Sequence, residues 1–143
     1  DWTAANNGNY PATVVWVDSE GKPCYKAEAN LKINITPAAT AVANDGSSLA
    51  KDSAGAAMSV KITATGASGT AKWVVTAVAK DPANTGTWAP SATLPTAEVS
   101  HSTPISITGT GAAKAGDKFK VTVKVTDSGK ADVTQDITVT VAS

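Results

Sequence analysis

The chain has 143 residues, 42% of them hydrophobic and 17% charged, with a formal net charge of zero and no arginine among its twelve basic residues. Neutral balance without guanidinium groups argues against nucleic-acid binding, and no polybasic cluster suits an anionic membrane. No apolar run reaches the ~20 residues needed to span a bilayer, and the single cysteine, Cys24, permits no internal disulfide.

In chain order, residues 1–11 are polar and turn-rich. Residues 12–18 are read as a short strand and 19–23 as a turn. In 27–35, Ala27, Ala29, Leu31, Ile33 and Ile35 alternate with Lys26, Glu28, Asn30, Lys32 and Asn34, the pattern of a half-buried strand. Residues 38–55 are rich in Ala, Asn, Asp, Gly and Ser and read as loop, with room for a helical turn near Ser48–Ala54. A strand over 57–65 turns Met58, Val60, Ile62 and Ala64 inward. A central strand over 71–80 alternates Trp73, Val75, Ala77 and Ala79 against Val74, Thr76 and Val78. Residues 81–104 carry Pro82, Pro90, Pro95 and Pro104 and read as an excursion with a short edge strand near 97–100. A short strand over 104–108 and a turn over 109–116 lead to the clearest feature, two alternating segments at 118–126 and 133–141 around a Ser-Gly turn, which predict a β-hairpin.

Small and β-branched residues dominate and no helical period of useful length occurs, so the fold expected is all-β. Counted from residue 27, the strands number seven, as in an immunoglobulin-like antiparallel β-sandwich, and Trp73 falls on the third. The segment Gly116-Asp-Lys-Phe-Lys-Val-Thr-Val-Lys-Val-Thr-Asp127, followed by Ile137-Thr-Val-Thr-Val141, resembles the closing hairpin of bacterial immunoglobulin-like and polycystic-kidney-disease-type surface modules. Phe119 stands where those families commonly carry Tyr, so the hydroxyl bond of a tyrosine corner is not expected there. The resemblance implies an extracellular setting and a spacer, adhesin or assembly role; it carries over no catalytic residue. A weaker likeness lies at the other end. Ala4-Ala-Asn-Asn-Gly-Asn-Tyr-Pro11 resembles the passage of type IV pilins where the long helix gives way to the globular head. The expected organisation is an N-terminal extension, 1–25, serving as an added or assembly strand, and a sandwich over 26–143. A start at Asp1 rather than Met is read as a removed leader or a fragment boundary, and a removed leader fits export.

The candidates for chemistry are few. His101 is the only histidine, and although Ser100 and Ser102 flank it, strand neighbours point to opposite faces and no nucleophile elbow is present. Asp127 and Asp132, with Asp136 after them, are weak calcium candidates, set against the ordinary turn chemistry of Asp-Ser-Gly. No carboxylate pair is marked for glycoside hydrolysis. Cys24 is expected to be a buried or partly buried small apolar residue. Trp73 is assigned to the core. Trp2, Trp16 and Trp88 are the candidate interface or binding residues, since exposed aromatics stack on sugars or anchor protein contacts. The sequence thus points to a non-catalytic, secreted or cell-surface structural protein without a cofactor, a subunit of a filament, pilus or layer that assembles with itself or another surface subunit. The alternative is an adhesin or carbohydrate-binding module with a glycan as partner.

Overall fold

The computed structural model describes residues 7–143. The described residues are all-β, in antiparallel ladders with no helix and no closed sheet. Contacts divide the chain into two units, Asp1–Pro37 and Ala38–Ser143.

The first unit contains one hairpin, β1 (Gly8–Val17) and β2 (Pro23–Ile33), in register from Gly8 opposite Ile33 to Trp16 opposite Tyr25, with an irregularity before Val17. The turn is held by Asp18: its Oδ1 accepts from Glu20 N at 3.0 Å and Lys22 N at 2.8 Å, and Gly21 takes the left-handed φ of 81°. The segment 27–35, counted by sequence as the sandwich's first strand, therefore pairs with its sequence neighbour. A short turn makes that the nearest partner, and closing a short loop costs least.

The second unit holds all the buried apolar residues among those described, from Ala39 to Val141. Its largest sheet runs β12 (Val133–Thr140), β11 (Lys118–Thr126), β6 (Lys72–Lys80), β8 (Val99–Ser100). The alternation of β11 buries Phe119, Val121, Val123 and Val125, and β12 adds Ile137 and Val139, as the hairpin pattern predicts. In β6, Trp73 and Val75 are buried, and Trp73 Nε1 donates to Thr103 O at 3.1 Å. Thr76 is then an extra residue, since Val75 faces Val123 and Ala77 faces Thr122. A bulge of this kind reverses the inward face, so Val78 rather than Ala77 or Ala79 packs against the core.

The inward residues expected over 57–65 are all buried, but the segment changes partner at Lys61. β4 (Met58–Val60) pairs with β9 (Ile105–Ile107), and β5 (Ile62–Thr65) pairs with β3 (Ala41–Asn44), a strand inside the expected loop. Ser48 and Lys51 make isolated bridges in place of a helical turn. The seam between β3 and β12 is closed by a side chain: Gln135 Oε1 accepts from Val42 N at 3.3 Å and its Nε2 donates to Val42 O at 2.9 Å. Asn84 clasps both backbone groups of Lys118 in the same way, at 2.7 and 2.8 Å.

The Pro-rich excursion is tightly anchored. β7 (Ala89–Pro90) pairs with β10 (Gly109–Thr110). Asp117, almost fully buried, accepts from the amides of Thr85 at 2.9 Å, Gly86 at 3.1 Å and Lys114 at 2.9 Å. A Cβ on Gly86 would lie 2.2 Å from the Asp117 carboxylate, so this position excludes any side chain.

Candidate functional site

The sequence candidates do not converge. Trp2 lies outside the described residues. Trp88, expected at an exposed loop, is fully buried: Nε1 donates to Ala56 O at 2.6 Å, and the ring meets Phe119 edge-on, centroids 5.0 Å apart at 78°. Buried on all sides, it presents no face for a sugar. Cys24, expected to be buried or partly buried, is exposed beside the irregularity of the first hairpin, its Sγ 3.3 Å from Trp16 O. Neither correction could come from composition, because both depend on which strands pair.

The calcium candidates are engaged by protein groups. Asp127 accepts from Ser68 N at 2.8 Å and from Ser68 Oγ, and Lys130 Nζ lies 3.3 Å away. The Ser68 hydroxyl and amide, with help from Lys130, hold its carboxyl below the usual range against the opposing effect of burial. Asp132 pairs with Lys124 at 2.7 Å, and Asp136 with Lys120 at 3.2 Å. Among the described residues no group of three metal-ligating side chains occurs. His101 sits in the turn after β8, partly buried, with Nδ1 3.4 Å from Ser102 Oγ.

Trp16 is different. It is 54% exposed and tilts against Tyr25, with centroids 5.4 Å apart. Residues directly opposite in an antiparallel pair share a face. The register therefore gathers Trp16 with Tyr25, Val14 with Ala27, Ala12 with Ala29, Tyr10 with Leu31, and Gly8 with Ile33. Every side chain on this face is apolar or aromatic. Val14 is 47% exposed, Tyr25 62% and Leu31 55%. The opposite face carries Asn9, Thr13, Lys26, Glu28, Asn30 and Lys32, with Lys26 and Glu28 paired at 2.9 Å and Val15 and Val17 near the tip. The alternation of 27–35 had identified half of the apolar face; the partnership with Trp16 and Tyr25 needed the register. At the open end of the hairpin, the Asn7 carboxamide meets both backbone groups of Ile35, donating to Ile35 O at 2.9 Å and accepting from Ile35 N.

No protein-family profile, curated protein or solved structure matches this chain. Among the described residues, no helix is long and apolar enough to cross a membrane.

Proposed function

We propose that this chain is a non-catalytic structural subunit of a cell-surface filament, pilus or layer, exported, and built as an immunoglobulin-like sandwich that carries an assembly hairpin. The observation that supports this reading best is the apolar stripe of β1 and β2, exposed at Val14, Trp16, Tyr25 and Leu31. A two-stranded hairpin is marginal alone in water, and a contiguous apolar patch on a domain surface is the usual mark of an interaction site. The conventional core is elsewhere, in Ala38–Ser143. The immunoglobulin-like assignment rests on the β11–β12 motif and the buried Trp73, and kinship to pilins rests on the Asn-Gly-Asn-Tyr-Pro passage entering β1.

Deletion of residues 1–37 tests the assignment. The expected product keeps a cooperative unfolding transition and runs as a monomer, while the full chain forms larger species by light scattering and electron microscopy. A full chain that stays monomeric at high concentration would refute the assembly role.

The exposed Trp16–Tyr25 pair favours one second reading, a carbohydrate-binding adhesin. A glycan-array signal from a monomeric chain, abolished by Trp16→Ala and unchanged by Thr13→Ala on the polar face, would select it over the first.

A further inference from the structure

We propose that Asn7-Gly8 is a self-modifying site, at which the asparagine loses its amide and becomes aspartate or isoaspartate once the open end of the first hairpin comes apart. The inference goes beyond the assembly reading and does not rest on it.

The chemistry follows from the pair itself. Asn7-Gly8 is the one place in the chain where Asn precedes Gly. The Gly8 amide nitrogen, on losing its proton, can attack Cγ of Asn7. A bond forms from Gly8 N to Cγ, the Cγ–Nδ2 bond breaks, and ammonia leaves with the proton. The five-membered succinimide then takes up one water at either carbonyl, giving aspartate or its β-linked isomer. The net change is amide plus water to carboxylate plus ammonium, with no electron transfer. Glycine suits the step because it has no Cβ to obstruct the approach. The nearest heavy atom to a Cβ built there, its chain neighbours aside, is Tyr10 Cε2 at 3.8 Å, so nothing crowds the ring as it closes.

The hairpin restrains the same group. Asn7 Nδ2 donates to Ile35 O at 2.9 Å and Oδ1 accepts from Ile35 N, across 28 residues of sequence. With both ends of the carboxamide engaged, Cγ cannot turn onto Gly8 N, and the attack waits for the clasp to open. Two hydrogen bonds of ordinary strength make that opening rarer by roughly tenfold or more. The clasp sits beyond the last rung, Gly8 opposite Ile33, at the end where a ladder frays first. Reaction makes the opening one-way. The aspartate has no donor for Ile35 O and sets a negative charge against it, and the isoaspartate adds a methylene to the main chain at the entry to β1.

The test follows the Asn7 peptide of the full chain by mass spectrometry, in mildly alkaline buffer with and without urea, and counts the β-linked product with isoaspartyl methyltransferase. Conversion at Asn7 should be slow in the folded chain and about tenfold faster in urea, with both products present. In urea, Gly8→Ala should slow it by about tenfold, since the added Cβ obstructs the attacking nitrogen. In buffer, Ile35→Pro removes the N–H that Asn7 accepts from and should raise the rate several-fold. No conversion at Asn7 in either condition, or a Gly8→Ala chain that converts as fast, would overturn the site. Equal rates in buffer and urea, or an Ile35→Pro chain that converts no faster in buffer, would overturn the restraint by the clasp. Independently, N7D should speed hydrogen exchange along β1 and β2 several-fold, and unchanged exchange would remove the one-way step.

Discussion

Single residues decide where the second unit is rigid. Gly109 lies directly against the indole of Trp88, and a Cβ there would come 2.3 Å from Cε2. The ring has no room to retreat, being bonded to Ala56 O and set edge-on against Phe119. Gly109→Ala should therefore destabilise the fold by about 2–3 kcal/mol, the upper part of the overpacking range. Urea denaturation measures it, with Gly69→Ala as a near-neutral control, since Gly69 has open space around it. Equal midpoints for the two variants would mean that the indole shifts freely. None of this was legible in the sequence. Trp88 stands between Thr-Gly-Thr and Ala-Pro, a turn-like setting, and its burial is made by Ala56, Gly109 and Phe119, all distant along the chain. The same holds for Cys24, whose exposure follows from the pairing of β1 with β2.

At the scale of elements, side-chain amides complete the ladders at three places among the described residues. Asn7 meets Ile35, Asn84 meets Lys118, and Gln135 meets Val42, each with one bond donated and one accepted. A carboxamide carries the same donor and acceptor as a peptide group, so it can stand in for a strand that is missing. Gln135→Glu keeps the acceptor for Val42 N but loses the donor to Val42 O and sets a carboxylate against that carbonyl. We expect a loss of about 1–3 kcal/mol and faster hydrogen exchange at the amides of β3; unchanged exchange would show that the amide clasp does not hold the seam. The β11–β12 hairpin was readable because Val and Ile alternate without interruption around a Ser-Gly turn. β3 was not, because Ala41–Asn44 offers one bulky residue, Val42, and takes its identity from β5 and Gln135. The change of partner at Lys61 and the bulge at Thr76 leave no mark in local pattern either, since both answer to the strands alongside.

At the scale of the whole molecule, two aspartates tie distant loops together and contribute to its response to acid. Burial is the largest single influence on Asp117 and pushes its carboxyl up, but the amides of Lys114, Gly86 and Thr85, with the charge on Lys80, together bring it below the ordinary value. Asp127 is lowered chiefly by Ser68. Since both are depressed in the folded state, the unfolded chain takes up protons first. Their contribution is complete above the ordinary aspartate value near pH 4 and is lost as pH falls through the lower folded values. Urea midpoints should be flat between about pH 5 and 7 on this account and drop below about pH 4. The Asp117→Asn, Asp127→Asn double variant should start lower and drop less. An equally steep acid loss in that variant would place the sensitivity in other groups. The all-β class followed from composition and period. The division of contacts after Pro37 depended on which strand 27–35 would choose.

The position of β11 has a consequence for how the chain is made. It is an interior strand of the largest sheet, between β12 and β6, yet it is next to last in the sequence. During synthesis, β6 gains the two-residue strand β8 on one side first, but its other side waits for residues 118–126, and the ladder along Trp73 and Val75 stays unpaired there until then. The first hairpin needs only residues already made. The order of emergence from the ribosome thus delays closure of the main core until β11 and β12 appear.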